Sequence, residues 1–296
     1  MSITEITAAW ATPMLLGETP LWDPTAGVLF WIDIPGRAVH SLSPKSGAHR
    51  AWPMPSEPGC IARCAGGGLI VALRSGLVFL DTLSGALTPI VDAPYDTSKL
   101  RFNDGRCDAA GRLIVGSIYE PRGQALAVLY SVEHGVLREL GPRATVSNGL
   151  AFSPDGRTLY HADTSAHRIS AYDYDVVNGT LGAARLFQQF SMERGPGYGG
   201  RPDGAAVDVE GDYWCAMFEG GRILRFSPAG ELLREIALPV RCPTMLAFGG
   251  DDMRTLYITT AREKRSDAEL AAHPLSGCVL TLRVEVAGRA DPAYIP

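Results

Sequence analysis

The sequence predicts an all-β chain folded as a six-bladed β-propeller, each blade holding about four antiparallel strands. Three observations carry that expectation. A unit made of a polar turn and then a short apolar strand recurs six times along the 296 residues. The runs between turns have strand length, with Gly, Pro, Asn and Asp at their ends. Amphipathic helical periodicity is almost absent.

The units follow in order. Turns at 21–27, 64–68 and 108–112 lead into strands at 28–33, 69–73 and 113–116. Turns at 152–157, 208–211 and 248–252 lead into strands at 158–161, 212–217 and 255–258. In the fifth, Asp208-Val209-Glu210-Gly211 is a turn on its own terms: Asp bonds its own backbone and Gly takes positive φ. A second strand then reaches another turn, as 38–42 does at Ser43-Pro44-Lys45-Ser46-Gly47 and 222–226 does at Ser227-Pro228-Ala229-Gly230. A third strand leads onward. The one helix-like segment is 266–272, with Ser266 as its N-cap. Ile3-Thr4-Glu5-Ile6 has no unit of its own and is expected to supply the outer strand of the last blade. That would close the ring and remove an open sheet edge. Residues 1–296 are read as one propeller domain.

Composition narrows the function. The chain is 46% hydrophobic and 20% charged, with a net charge of −5. A nucleic-acid binder usually shows a basic face, so a small molecule is the expected partner. No apolar run approaches the ~20 residues that span a bilayer, and no basic-then-apolar leader opens the chain. The six cysteines have no CxxC spacing and several sit in apolar runs. They are read as buried thiols in a reducing compartment, the cytoplasm by default. No GxSxG stands in a strand-to-helix setting, so a serine triad has no support.

The repeat also defines a ring. Counting back five residues from Asp23, Ala65, Asp108, Ser153, Asp208 and Gly249 in these turns gives Glu18, Cys60, Asn103, Asn148, Asp203 and Thr244. Equivalent positions in a propeller share a height and a radius, and the innermost strands line the central channel. The ring thus gathers oxygen ligands at one mouth. Two carboxylates and an amide crowded there would repel unless something cationic joined them. The bland reading is that these residues cap strand ends. The other is a hard divalent cation with open positions for water and substrate.

Five motifs stand in these units: Leu16-Gly17-Glu18-Thr19-Pro20-Leu21-Trp22, Arg101-Phe102-Asn103-Asp104-Gly105, Ser147-Asn148-Gly149-Leu150, Pro202-Asp203-Gly204 and Phe248-Gly249-Gly250. Together, from about residue 15 to Arg262, they resemble the senescence marker protein/gluconolactonase/regucalcin-like family. The resemblance implies a six-bladed propeller that binds one divalent cation (Ca, Zn, Mg or Mn) and hydrolyses a sugar lactone. It implies Glu18, Asn148 and Asp203 as metal ligands, Asp203 also as general base, and Arg101 and Asn103 as substrate contacts.

Glu120, in Tyr119-Glu120-Pro121, stands near where relatives often carry a second acidic residue, and is either a substrate contact or a solvated acid. Arg201 precedes Pro-Asp-Gly and is either a solvated arginine or a substrate contact. With Arg101 it points to a substrate bearing its own carboxylate, such as an aldaric acid lactone. His161 is read as a packed strand histidine and Asp163 as a strand end. The 195–200 glycine run is read as a lip near the channel mouth. The expected assembly is a monomer or small homo-oligomer. The alternatives are an esterase or phosphotriesterase using the same cation, and a calcium-binding regulatory protein without turnover.

Overall fold

The computed structural model describes residues 5–296. Its 24 strands form six four-stranded antiparallel sheets, the blades of a propeller. The inner strands are Gly17–Asp23, Pro58–Arg63, Leu100–Cys107, Ser147–Phe152, Arg201–Val207 and Pro243–Gly249. Each packs against the inner strand of the next blade, and the sixth returns to the first. Blades one to five are simple meanders running outward, as in Gly17–Asp23, Val28–Asp33, Ala38–Leu42 and His49–Pro53.

The sixth blade is closed by the N-terminal strand Thr7–Trp10, whose Thr7 faces Thr281 and Ala8 faces Leu280. The closing strand expected at residues 3–6 therefore lies further along. Ile3 and Thr4 fall outside the described residues, and Glu5 and Ile6 precede the strand. Side-chain anchoring explains the position. Trp10 stacks on His49 of blade one, ring centroids 4.0 Å apart, and tilts over Trp31 at 6.1 Å. Ile6 and Ala8 pack on the blade-six core.

The core lies between blades, where apolar faces of adjacent sheets meet. Ile32 and Val39 of blade one pack with Ile61 and Val71 of blade two. Trp214 and Ile223 of blade five pack with Leu246 and Ile258 of blade six. Each such side chain contributes roughly 1.5–3 kcal/mol on burial. Outer strands such as Leu232–Ala237 keep most of their side chains in water.

The turn chemistry read from the sequence is present. Asp208 Oδ1 accepts from the backbone N–H of Glu210 at 2.9 Å and of Asp212 at 3.0 Å. Asp108 does the same in blade three for Ala110 and Arg112. The one helix among the described residues, Asp267–Ala272, is capped by the Ser266 side chain, which accepts from the Glu269 N–H. All six thiols are buried and unpaired. No helix among the described residues is long and apolar enough to cross a membrane.

One end of the channel is plugged. Arg106 donates to the carbonyls of Leu150 at 2.8 Å and Ala205 at 2.7 Å and pairs with Asp291 of the C-terminal segment. The other end stays open.

Candidate active site

The ring positions are where the inner strands break register. Each of the six inner strands carries an irregularity there: between Glu18 and Leu21, Pro58 and Cys60, Phe102 and Gly105, Asn148 and Ala151, Pro202 and Ala205, and Pro243 and Met245. A bulge re-aims the side chain beside it. In blade four the residue after Asn148 is Gly149, at φ 61°. In blade one it is Thr19, at φ 43°. A β-branched residue in that region is an outlier, and such backbone clusters at functional sites.

Four of the six ring residues, Glu18, Asn103, Asn148 and Asp203, line one cavity of about 180 Å³ at the open end. The other two do not line it. Cys60 is wholly buried, and Thr244 gives its hydroxyl to the Gly17 carbonyl at 2.6 Å. Arg101 and Arg201 line the cavity as well, so six of the seven expected site residues meet there.

A chain of hydrogen bonds joins them. Arg101 Nη1 donates to Asn103 Oδ1 at 2.8 Å and to the Phe102 carbonyl at 2.9 Å. Asn103 Nδ2 donates to Asn148 Oδ1 at 2.7 Å and to the Ser147 carbonyl at 2.8 Å. Asn148 Nδ2 donates to Asp203 Oδ1 at 2.6 Å and to Thr164 Oγ1 at 2.8 Å. The Thr164 hydroxyl donates to the Pro202 carbonyl at 2.7 Å, tying blade four to blade five. Both ends of the Asn103 amide are thus engaged. Its place is to link Arg101 to Asn148.

The approach to the ring is also fixed. Asp33 accepts from the backbone N–H of Leu15 and Leu16, both at 3.1 Å, just before Glu18. Asp163 accepts from Thr145 at 3.0 Å and Val146 at 3.2 Å, just before Asn148. The strand-end reading of Asp163 holds. His161 is buried against the Ser147 hydroxyl at 2.8 Å and, by desolvation, titrates near 4.

Glu120 does not line the cavity as a substrate contact would. Its oxygens accept from Arg74 of the preceding blade at 2.9 and 3.0 Å, and Arg101 Nε stands 3.5 Å away. Burial raises its pKa, but the Arg74 hydrogen bonds outweigh that and hold it below the ordinary value. Glu120 backs Arg101.

The carboxylates are crowded. Burial first, then Asp203 and Asp104, holds Glu18 well above the usual carboxylate range. Burial pushes Asp203 up to about 8; Arg201 opposes this and Asp104 adds to it. Asp104 is raised by burial to about 6, and its buried Oδ1 has no hydrogen-bond partner. A cation bound here would relieve this stress. The donor set of carboxylate and amide oxygens suits a hard divalent ion. One adjustment is needed, because Asn148 turns its nitrogen toward Asp203 and its oxygen toward Asn103.

Another acidic group, Asp208, Glu210 and Asp212, lies close together in blade five. Arg225 Nη2 sits 3.2, 2.7 and 2.7 Å from the three, so a guanidinium already holds the central position.

Sequence reasoning missed Thr164, Arg122, Glu263, Lys264 and Arg265 in the lining. Arg122 had a signal: it sits two residues past Glu120 in the turn Pro121-Arg122-Gly123, at φ 66°. The 195–200 lip is tied down through Tyr198, whose hydroxyl meets His167 Nε2 at 2.6 Å.

Comparison with known proteins shows what the chain as a whole resembles. Residues 16–262 match the SMP-30/Gluconolactonase/LRE-like region. A 6-deoxy-6-sulfogluconolactonase of Pseudomonas putida is 46% identical over 95% of this chain and 96% of its own length. An L-arabinolactonase of Azospirillum brasilense is 32% identical over 94% of this chain and 92% of its own. The solved structure of a calcium-binding protein, regucalcin, from Agrobacterium tumefaciens superimposes with a TM-score of 0.93 at 31% identity. It covers 98% of this chain and 97% of that one.

Proposed function

This chain belongs to the SMP-30/gluconolactonase/LRE-like family, and on that premise we propose that it hydrolyses the ester of a sugar-acid lactone to the open acid, with help from one divalent cation. The observation that carries the reading is the convergence of Glu18, Asn148 and Asp203, from three blades, on one cavity. Their oxygens would hold the cation. When bound, a divalent ion supplies Lewis-acid polarisation of the ester carbonyl and charge stabilisation for the oxyanion that follows.

The chain's own residues do the rest. Asp203 takes a proton from the attacking water and returns it to the departing ring alkoxide. Asn148 fixes Asp203 Oδ1 at 2.6 Å, which leaves Oδ2 free of hydrogen bonds for the water. Arg101 has Nη1 committed to the backbone and to Asn103, and Glu120 beside its Nε. Its Nη2 is left for the sugar's hydroxyls or carboxylate, already oriented before substrate arrives. Asn103 passes that orientation on to Asn148. Calcium, zinc, magnesium and manganese all suit such an oxygen-rich donor set, which discriminates weakly among them.

The test is hydrolysis of five- and six-membered aldonolactones by the wild type and by Asp203→Ala. We expect a loss of roughly 100-fold or more in kcat, the scale of a general base. Undiminished turnover in Asp203→Ala ends the assignment of that residue.

A further inference from the structure

What the Asn148 amide can hold depends on which way round it sits. Its two ends have nearly the same shape, so the neighbours decide. Asp203 Oδ1, 2.6 Å from Asn148 Nδ2, does not decide it, since a carboxyl accepts when ionised and donates when protonated. Thr164 does. Its hydroxyl has one hydrogen, and that hydrogen goes to the Pro202 carbonyl at 2.7 Å. Toward Asn148, 2.8 Å away, the Thr164 oxygen has only lone pairs to offer, so the amide must face it with Nδ2. Oδ1 is thereby turned toward Asn103 Nδ2 at 2.7 Å, and that bond uses one of its two lone pairs.

Thr164 is itself held in place. Its backbone N–H donates to the Val146 carbonyl at 3.1 Å, and its carbonyl accepts from the His167 N–H at 3.3 Å. The residue is 5% exposed, and a β-branched side chain is stiff at χ1. Of the three side chains on the amide, Asn103 and Asp203 belong to the ring, and Asp203 has to turn toward an ion that it binds. Thr164 stands outside the ring, in the turn after Thr158–Asp163, and keeps its place. We propose that Thr164 is the positioning residue of the cation site: its hydroxyl, spent as a donor on Pro202, fixes the Asn148 amide with Oδ1 presented for a divalent ion. Because Pro202 precedes Asp203, the same hydroxyl also spaces the two ligands that come from blades four and five. The inference rests on the cation reading above and adds the residue that sets its amide ligand. Partners of this kind, one step behind the ligands, commonly govern how tightly a metal is held.

The experiment titrates Mn²⁺ and Ca²⁺ into the chelator-stripped full chain by calorimetry. Thr164→Val keeps the shape and loses the hydroxyl; it should bind both ions about 10–100-fold more weakly, while Thr164→Ser stays within about threefold of wild type. A packing role predicts the reverse order, because serine lacks the methyl and valine keeps it. The Asn148 side-chain amide, followed by NMR in the stripped protein, gives a readout free of ion and turnover. Its Nδ2 protons should exchange with water faster in Thr164→Val and at the wild-type rate in Thr164→Ser. If Thr164→Val does not fold, Thr164→Cys, whose thiol is a weak donor and a weak acceptor, reads the same loss. Wild-type affinity in the variants without the hydroxyl, or an equal loss in Thr164→Ser, overturns the proposal and leaves the lactonase reading standing. If the stripped wild type takes up neither ion, the cation reading falls, and the Asn148 exchange rates decide the positioning role by themselves: unchanged rates in Thr164→Val overturn it.

Discussion

Stripped of divalent ions, this protein should lose stability as pH rises, and Asp203, together with Glu18, should be a principal reason. Its carboxyl titrates near 8 in the folded state because burial disfavours the charge. In the unfolded chain an aspartate titrates near 3.9. Between those values the folded state binds the extra proton, so unfolding free energy falls with rising pH. The contribution is present at low pH and is lost on the way to 8. From pH 5 to pH 8 the loss is about 4 kcal/mol, at about 1.4 kcal/mol per unit. For a chain of this size that is roughly 6 °C in Tm.

The perturbation is Asp203→Asn, which keeps the shape and an oxygen for the Asn148 amide but removes the titration. Removing the charge also relieves Glu18, which Asp203 holds up, so the two effects share a sign. The assay is thermal unfolding in chelator at pH 5, 6, 7 and 8. Wild-type Tm should fall steeply across the series and the Asn variant much less. Adding back a divalent cation at pH 8 should raise the wild-type Tm and leave the variant nearly unmoved. Parallel curves for the two proteins would refute the electrostatic reasoning.

Three further outcomes follow from the geometry. Gly149→Ala places a Cβ at φ 61°, 2.5 Å from the Tyr213 hydroxyl and 3.1 Å from the Asp203 carbonyl. Chemical denaturation should show a loss of about 2 kcal/mol, with lactone turnover falling because Asn148 moves. Asp163→Ala strips the acceptor from the N–H groups of Thr145, Val146 and Ser165. It should cost about 1–3 kcal/mol of stability and weaken cation affinity by calorimetry. Glu120→Gln removes the charge that backs Arg101 through a partly exposed pair. A KM rise of roughly twofold to fivefold is expected in steady-state kinetics, with kcat nearly kept.

The sequence made the blades and the ring legible because turns and strands repeat at a fixed offset. Glu18, Asn103, Asn148 and Asp203 were found by counting, and the register breaks at those positions show why the count works. What the repeat could not show was pairing across blades. Arg74 lies 46 residues from the Glu120 it binds, so the sequence offers Glu120 only as a substrate contact or a solvated acid. The Arg106 plug depends on Asp291, 185 residues away. The closing strand shifted from 3–6 to Thr7–Trp10 because an aromatic stack, not hydrophobic alternation, sets its place. Arg122 went unread because a left-handed turn residue carries no period.

The most direct measurement is lactone turnover during titration of a divalent ion into chelator-stripped protein, with bound metal counted in parallel. Activity should be absent at the start and climb to a plateau at one ion per chain, while Glu18→Gln should shift the titration to much higher ion concentration. Full turnover by the stripped protein would contradict the central claim that three blades lend their oxygens to one catalytic cation.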